Sequence, residues 1–333
     1  MKLSVLDLSP VTGGATQAQA VRETIEVAKA AEALGYHRFW MAEHHNIAGL
    51  GSPNPELLIA AISQQTSRIR LGSGGVMLVN YSPLKVAETF MELEALAPGR
   101  IDLGLGRALG ADARTGGALR SVGSDAFPQY FQLLAAWLLD ASGKVPIPAN
   151  HPIHDIRANP SGPSHPDVFV LCTSLESATF AGMMGVGMVF AEFIARAEAG
   201  PAVAAYRAAF EPSAFRDAPW AGTAVVAYAA QTTEQAWRED APRRAGTVSM
   251  LSGRRRRFPD IAEAEAFLTE WKGTPLLADI ESRTLAGDAA HVRERLAAKA
   301  KDADADEVFV MATGPSLETR IASLALIAPA HGG

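Results

Sequence analysis

The sequence contains one cysteine, no excess of basic charge and no long apolar run, and each absence excludes a class of protein. Cys172 stands alone among 333 residues, so an intrachain disulfide, a four-cysteine zinc site and a dithiol redox motif are excluded. The 30 lysines and arginines are outnumbered by 36 acidic residues, and the net charge of −6 argues against electrostatic binding to nucleic acid. No uninterrupted apolar stretch reaches the roughly 18 residues of a membrane span.

The start of the sequence also lacks the features of a secretory signal. Met1 and Lys2 lead directly into residues 3–8, an apolar segment too short for the apolar region of a signal peptide. Together with the missing membrane span and the lone cysteine, this start predicts a cytoplasmic protein that associates with neither a membrane nor nucleic acid.

What the sequence does contain is a regular alternation of short apolar runs with amphipathic stretches. Repetition of a strand followed by a helix is typical of a parallel sheet, because parallel strands need crossover connections. Eight such units predict an α/β fold of the (β/α)₈ TIM-barrel type, and one barrel with insertions accounts for residues 1–333. An open doubly wound sheet remains the alternative. The predicted strands are 3–8, 37–42, 69–72, 101–105, 168–172, 187–191, 223–228 and 307–311; the predicted helices are 16–34, 55–66, 83–96, 128–139, 176–184, 199–210, 233–244 and 317–326.

Two stretches interrupt the alternation. Residues 141–166 hold six prolines, and residues 246–284 hold a run of four arginines at 254–257. Loops that follow the strands of a barrel gather at its carboxyl-end face, so both stretches are predicted as insertions there and as lid candidates; plain surface loops are the alternative. The arginine run is interpreted as a solvated loop or a subunit contact rather than a polyanion site. His151, His154 and His165 are interpreted as hydrogen-bonding loop residues.

The first cluster of chemically active residues is Glu43, His44 and His45, directly after a predicted strand. Histidine titrates near neutral pH, so at this position it could move protons or donate to a developing oxyanion. A hydrogen-bonded strand end is the alternative. A metal site is not favoured, because adjacent histidines point in different directions and no third ligand stands at a standard spacing.

The second cluster is rich in glycine. Three of the four residues from Gly72 to Gly75 are glycines, which allow unusual backbone conformations and the close approach of a planar ligand. A simple turn is the alternative interpretation.

The third cluster, residues 101–110, suggests a dinucleotide fingerprint but does not complete it. Gly104 and Gly106 are correctly spaced, whereas Leu109 occupies the position of the last glycine, and the strand is the fourth rather than the first. What remains is Arg107 at a strand end, where a guanidinium is suited to hold a phosphate. A surface salt bridge is the alternative.

The fourth cluster places three hydroxyls, those of Thr173, Ser174 and Ser177, around a predicted helix start. The amides of a helix start form an anion site, and a helix cap would explain one hydroxyl but not three. Because the fourth and fifth strands are neighbours in a barrel, Arg107 and this turn are expected to hold the same phosphate. This convergence predicts a phosphorylated cofactor.

In this order the four clusters resemble the bacterial luciferase-like monooxygenases, a family of flavin-dependent enzymes. The most specific stretches are Phe-Trp-Met-Ala-Glu-His-His at 39–45, Ser-Pro at 82–83 and residues 98–107. The resemblance implies that His44 is the catalytic histidine, with His45 and Glu43 as its support. It also implies a cis peptide between Gly74 and Gly75 beneath the flavin ring, and an FMN phosphate held by Arg107, Thr173, Ser174 and Ser177.

The activity implied by the resemblance is that of a two-component monooxygenase. A separate flavin reductase would supply reduced FMN, and dioxygen would be used to hydroxylate or epoxidise a small apolar substrate. Residues Leu8, Phe39, Trp40, Met77 and Phe190 are expected to line the substrate pocket. A homodimer is expected as well. The rival hypotheses are an FMN- or deazaflavin-dependent oxidoreductase that transfers hydride, and a flavin-binding protein without catalysis.

Some positions depart from the family pattern. Gly106 stands where the luciferases have a reactive cysteine, so thiol chemistry is excluded there. Asp125 stands where they have a further phosphate-binding arginine, for which Arg120 is the candidate substitute. The stretch 246–284 also differs from the mobile loop of the luciferases. These departures argue against light emission and favour an oxidoreductase of bacterial natural-product and antibiotic biosynthesis.

Overall fold

The structure, a computed structural model, describes residues 1–195, 197–254 and 256–328, and its centre is a parallel sheet. Its strands are β1 (Lys2–Asp7), β2 (Arg38–Met41), β3 (Arg70–Ser73), β4 (Val76–Met77), β5 (Ile101–Gly106), β6 (Asp167–Cys172), β7 (Gly187–Ala191), β8 (Ala221–Ala230), β9 (Thr284–Asp288) and β10 (Glu307–Ala312). The order β10-β1-β2-β3-β5-β6-β7-β8 closes on itself, because β10 also pairs with β8. The predicted barrel is therefore confirmed, and each predicted strand corresponds to one barrel strand.

Two strands lie outside this simple order. β4 continues the course of β3 after a two-residue interruption and pairs with the end of β5, Met77 against Gly106. β9 pairs with residues 226–230 of β8. One edge of β8 pairs with β10, also at residues 226 and 227. β9 must therefore pair with the opposite edge of β8, which β7 pairs with at residues 221–224. β9 begins at the last residue of the predicted insertion 246–284, and no strand was predicted there.

Helices connect the strands and surround the barrel. They are α1 (Gln17–Ala33), α2 (Pro55–Ser63), α3 (Pro83–Leu96), α4 (Ala113–Ala118), α5 (Phe127–Ala141), α6 (Leu175–Met183), α7 (Ala199–Ala209), α8 (Thr233–Glu239), α9 (Ala241–Leu251), α10 (Ile261–Trp271), α11 (Pro275–Ser282), α12 (Ala289–Asp302) and α13 (Leu317–Ile327). α1 begins at Thr16, whose hydroxyl accepts from the Gln19 amide in a capping box. The helix predicted at 233–244 is in fact two helices, because the chain turns at Asp240, ahead of a proline at the second position of α9.

Alternation along the strands divides the core into two layers. Phe39 and Met41 of β2 pack in the large layer between strands and helices, whereas Trp40 and Ala42 pack inside the barrel. The interior is apolar and aromatic, with Trp40 at 4.6 Å from Phe309 and 5.1 Å from Phe169, measured between ring centroids. Two residues expected to line the pocket, Phe39 and Phe190, belong to the outer layer, so that part of the expectation is wrong.

The amino ends of the strands are closed by buried charges. Arg38 bonds Asp102 at 2.6 Å and Glu307 at 3.3 Å, and the indole of Trp40 donates to Asp102 at 2.9 Å. Glu307 also accepts from Ser4. Because buried charges are tolerated only when they are paired and hydrogen-bonded, this cluster defines the floor of the barrel and leaves the opposite face for a ligand.

The two interrupting stretches lie at opposite ends of the barrel. Residues 142–166 run from the end of α5 to the start of β6, which places them at the amino-end face, where Ser164 bonds Glu94 at 2.7 Å. Their prediction as a carboxyl-end lid is therefore wrong, because a loop that precedes a strand cannot lie beyond that strand's carboxyl end. The stretch 246–284 follows β8 instead; Arg257 donates to the carbonyl of Val11 at 3.2 Å, in the loop after β1.

The remaining sequence features of these stretches have simple structural roles. The rings of His154 and His165 each lie 2.8 Å from a carbonyl of their own loop, as predicted. Arg254 stacks on Phe267 and Trp271, Arg256 pairs with Glu263, and Arg255 lies outside the described residues. Cys172, at the end of β6, is fully buried, with its thiol 3.6 Å from the carbonyl of Val170.

Candidate active site

The chain immediately after β2 is held in place by the buried carboxylate of Glu43. Its Oε1 accepts from His45 Nε2 at 2.8 Å and from the hydroxyl of Tyr81 at 2.9 Å, while Oε2 accepts from the amide of Met77 at 2.9 Å. The weaker bond from Asn80 spans 3.4 Å. A buried carboxylate is stable only with such donors, so Glu43 anchors the loop and its oxygens are used within the chain.

His44 differs from its two neighbours because one of its ring nitrogens has no partner. Nδ1 is buried and makes no hydrogen bond to any described residue. Burial, with a further contribution from the charge of His45, lowers the pKa of His44 to about 4. The ring is therefore neutral at physiological pH and carries a buried polar atom ready to bond a ligand.

The glycine cluster lies directly beside this loop. The peptide bond between Gly74 and Gly75 is cis, which confirms that part of the expectation. The amide of Gly74 donates to the carbonyl of Met41 at 2.7 Å. A Cβ atom at position 74 would lie 2.6 Å from the side chain of Leu6, and one at position 75 would lie 2.6 Å from the carbonyl oxygen of Gly104. A side chain is thus excluded at position 75, where the neighbour is backbone, and at position 74 it would require the Leu6 side chain to move.

Arg107 and the start of α6 meet, as the adjacency of β5 and β6 predicts. Arg107 Nη1 lies 2.8 Å from Oε1 of Glu176, in the first turn of α6, and both side chains are largely exposed. A guanidinium, a carboxylate and the amide groups of a helix start thus lie side by side where β5 and α6 meet.

The hydroxyls around that helix start are already used in part. Ser174 caps α6 by accepting from the amide of Ser177 at 3.3 Å, and Ser177 in turn accepts from the amides of Ser174 and Thr173 at 3.3 Å. The reciprocal capping box accounts for two hydroxyls, so the expectation that a cap explains only one is wrong. Thr173 contributes an exposed side chain to the same turn.

Two further site residues were not found from the sequence. Tyr81 and Asn80 both contact Glu43, and Asn80 also donates to the carbonyl of Leu109 at 3.0 Å. The signal available in the sequence was their position directly before the Ser-Pro pair that begins α3. By contrast, Arg120 and Asp125, the positions that depart from the family pattern, are exposed.

The described residues hold neither a helix long and apolar enough to cross a membrane nor a cluster of three metal-binding side chains. A closed parallel barrel with a histidine, a glycine pair and an arginine at the carboxyl ends of its strands is the architecture of TIM-barrel enzymes. The chain belongs to the luciferase-like monooxygenase family, whose model matches residues 1–307.

Individual relatives agree with this assignment. A luciferase-like monooxygenase of Escherichia coli K12 is 36% identical over 311 residues, which cover 92% of this chain and 90% of the relative. The N-acetyl-S-alkylcysteine monooxygenase of Bacillus subtilis 168 is 37% identical over 273 residues, 80% of this chain and 79% of the relative. Among solved structures, apo-MsnO8 is 36% identical with a TM-score of 0.87, over 98% of this chain and 97% of that one.

More distant structures share the fold alone. The oxygenating constituent of 3,6-diketocamphane monooxygenase from Pseudomonas putida, in complex with FMN, has a TM-score of 0.72 at 18% identity and covers 98% of this chain and 97% of its own. An F420-dependent secondary alcohol dehydrogenase has a TM-score of 0.68 at 14% identity, with the same coverage. Flavin monooxygenases and a deazaflavin enzyme are thus both structural neighbours of this barrel.

Proposed function

We propose that the chain is the oxygenase component of a two-component monooxygenase. It takes reduced FMN from a separate reductase and uses dioxygen to hydroxylate or epoxidise a small apolar substrate. The observation that carries the proposal is the neutral His44, whose buried Nδ1, just beyond the carboxyl end of β2, has no hydrogen-bond partner among the described residues. Trp40 and Ala42 pack inside the barrel, and His44 follows them two residues beyond, so we expect its ring to face the barrel mouth.

The residues present fit an FMN molecule at this face. Arg107 and the start of α6 supply the positive potential that a phosphate needs, with Thr173, Ser174 and Ser177 around them. The side-chain-free Gly74–Gly75 segment offers a flat backbone surface of the kind that a planar ring requires. The Nδ1 atom of His44, which bonds no described residue, gives the ligand a polar partner. His44 is close in sequence to Met41, whose carbonyl accepts from the Gly74 amide, so the histidine and the glycine pair are neighbours.

Held by Arg107 and the start of α6, reduced FMN would supply the two electrons with which dioxygen gives one oxygen atom to the substrate and the other to water. The protein's own contribution is positioning and proton control. His44, neutral and with a free acceptor or donor position, holds or moves a proton at its Nδ1. The apolar interior, lined by Leu6, Trp40 and Phe309, excludes water beneath the site. The stretch 246–284 is proposed as a lid. Its residue Arg257 donates to the carbonyl of Val11 in the loop after β1, and loops that follow barrel strands surround the carboxyl-end face.

The relatives support the coarser parts of this proposal and suggest substrates for its test. One relative is an N-acetyl-S-alkylcysteine monooxygenase, and one structural neighbour is the oxygenating constituent of 3,6-diketocamphane monooxygenase in complex with FMN. A cytoplasmic homodimer that acts in natural-product biosynthesis is part of the same proposal.

The phosphate site is tested by comparing FMN with riboflavin, which lacks the phosphate. The wild-type chain should bind reduced or oxidised FMN more tightly than riboflavin, and Arg107→Gln should weaken FMN binding about tenfold while leaving riboflavin unchanged. Arg157→Gln is the matched control, because Arg157 pairs with Asp140 at 3.1 Å on the opposite face. Calorimetric or fluorescence titration measures both ligands. If Arg107→Gln lost equal affinity for FMN and for riboflavin, a contact between Arg107 and the phosphate would be contradicted. If FMN affinity fell in Arg120→Gln rather than in Arg107→Gln, the phosphate site would be assigned to Arg120.

The reaction is tested with a reductase that supplies reduced FMN under ¹⁸O₂. We expect one ¹⁸O atom in the product of at least one substrate among alkenes, alkanes, ketones and N-acetyl-S-alkylcysteines, measured by mass spectrometry. Turnover without label, or turnover that persists without oxygen, would support hydride transfer instead. FMN binding without any turnover across the panel would support the non-catalytic rival.

A further inference from the structure

A buried hydrogen-bond network behind the histidine pair reaches a residue with no assigned role, Tyr81. The carboxylate of Glu43 has no exposed surface, and its Oε1 accepts simultaneously from Tyr81 at 2.9 Å and from His45 at 2.8 Å. Tyr81 Oη and His45 Nε2 are 3.5 Å apart, so both donors converge on one oxygen. Removal of the hydrogen bond from Tyr81 should therefore change the strength of the bond from His45, because both bonds end on the same oxygen of Glu43.

This geometry fixes the state of the His45 ring. An ionised carboxylate only accepts hydrogen bonds, so Nε2 of His45 must carry a proton in this arrangement, and Nδ1 is the free position of the neutral ring. The loop cannot easily turn to change the contact, because the amide of His45 donates to the carbonyl of Gly110 at 3.0 Å. Glu43 is held from the other side by the amide of Met77.

Tyr81 is chemically suited to a constant role in this network. Burial, followed by the charge of Glu43 and the hydrogen bond to it, raises the pKa of Tyr81 far above the neutral range. The hydroxyl therefore stays protonated, and able to donate, throughout the neutral pH range. Its bond stabilises the negative charge on Glu43 and so limits how strongly that carboxylate holds the proton of His45.

Other charged groups surround the network. Glu56, at the start of α2, has its pKa raised by burial and by the charge of Glu43, with Lys85 of α3 acting in the opposite direction. His44 adjoins His45 on the same loop, and Asp112, in the loop after β5, bonds Asn46 at 3.4 Å. Asn80 adds a longer bond of 3.4 Å to the Oε1 atom that accepts from Tyr81 and His45, and none of the charged groups named above bonds that atom among the contacts of the described residues.

We propose that Tyr81 is a positioning residue which, through Glu43, sets the proton affinity of His45, while Glu43 itself fixes the tautomer of that ring. The consequence extends to His44, because the charge of His45 is one of the two factors that keep His44 neutral. The proposal rests on the proposed function for its catalytic meaning, but the network itself is a property of the protein without any cofactor.

The test is a Tyr81→Phe variant studied by NMR without flavin. Protein with ¹⁵N-labelled histidine contains eight histidines, and His45→Gln identifies the signals of His45. We expect the His45 titration midpoint to move upward in Tyr81→Phe, corresponding to about three- to tenfold higher proton affinity, because Glu43 loses a donor and attracts the proton more strongly. The neutral ring should keep its proton on Nε2. In Glu43→Gln, whose side chain is of equal size, the midpoint should instead fall and the tautomer preference should weaken.

The matched control is Tyr228→Phe. Tyr228 donates to the carboxylate of Glu239 at 2.6 Å, and that carboxylate takes its other bond from Gln235 rather than from a histidine. No movement of the His45 midpoint is expected there. An unchanged midpoint in Tyr81→Phe, or an equal movement in Tyr228→Phe, overturns the proposal.

Activity gives a second and separable readout. The acidic limb of the pH profile for product formation should move upward with the NMR midpoint in Tyr81→Phe. If the midpoint moves while neither protein oxygenates any substrate, the network is supported and the proposed function is contradicted. If product forms but the profile and the midpoint both stay fixed, the proposed function stands and the role of Tyr81 fails.

Discussion

At the scale of single residues, three adjacent side chains after β2 have three different roles. Both carboxylate oxygens of Glu43 accept hydrogen bonds from within the chain, and one of these bonds comes from His45. His44 instead has a buried ring nitrogen that bonds no described residue. A buried polar atom without a partner costs free energy, and such a cost is commonly kept where the atom binds a ligand. Of the three, His44 is therefore the residue on which turnover should depend directly.

We expect His44→Ala to weaken FMN binding by no more than about tenfold, the loss of one hydrogen bond, but to lose product formation by about 100-fold or more, the usual contribution of a proton-transferring group. His154→Ala is the control, because His154 bonds a carbonyl within the loop at the amino-end face. Titration and initial rates measure the two effects. Because the pKa of His44 is lowered to about 4, its neutral form prevails above that pH, and it should add no inflection to the rate between pH 5 and 8. Wild-type rates in His44→Ala would remove it from the mechanism.

At the scale of elements, the start of α6 is the point at which internal and external partners compete. Its capping box satisfies amides with Ser174 and Ser177, and Glu176 in its first turn occupies the guanidinium of Arg107. A phosphate that approaches Arg107 must displace this carboxylate and overcome its negative charge. The helix start should therefore bind flavin reversibly, as the proposed supply of flavin by a separate reductase requires.

Replacing Glu176 should tighten FMN binding. In Glu176→Gln we expect about a two- to fivefold gain in FMN affinity, the small effect of an exposed ion pair, and no gain for riboflavin. Glu318→Gln is the matched control, since Glu318 stands in the first turn of α13, whose cap at Ser316 has the same form. Isothermal titration at low and high salt measures the difference, which should shrink as salt screens the charges. Weaker FMN binding in Glu176→Gln would show that the carboxylate assists the site rather than competing.

At the scale of the whole molecule, the buried charges at the floor make stability depend on pH. Burial alone would raise the pKa of Glu307, but the hydrogen bond from His37 and the charge of Arg38 outweigh it and hold the pKa below its usual value. A depressed carboxylate pKa contributes stability that is complete above the unfolded value of about 4.5 and is lost as the pH falls through the folded value.

Glu307→Gln should therefore lower the free energy of unfolding at pH 7 by about 3 kcal/mol, because Arg38 and His37 lose a buried partner. The deficit should narrow as the pH falls below about 4.5, because the unfolded chain binds a proton at Glu307 there while the folded carboxylate, with its lowered pKa, still resists protonation. Glu26→Gln is the control, because Glu26 forms an exposed pair with Lys29 and should change little. Urea unfolding followed by tryptophan fluorescence at pH 7 and pH 4 measures both variants. An equal deficit at the two pH values would assign the loss to packing.

The barrel could be predicted from the sequence because each of its strands is a short apolar run bounded by helix signals. β9 could not, since it pairs with the far half of β8 and nothing local marks it. The meeting of Arg107 with α6 followed from strand order alone. The role of Tyr81 could not be predicted, because it depends on the direction in which the buried side chain of Glu43 points. Phe39 was predicted to line the pocket, but the alternation of side chains along β2 places it in the outer layer.

The lone Cys172 has a practical consequence for following the proposed lid. Complete burial at the end of β6 raises the pKa of its thiol to about 12, so the nucleophilic thiolate is scarce at neutral pH. The native chain should consequently give almost no background with maleimide dyes. A cysteine introduced at exposed Met250 and another at exposed Val122 would then accept a fluorophore pair selectively, and energy transfer between them would report the movement of residues 246–284 during turnover.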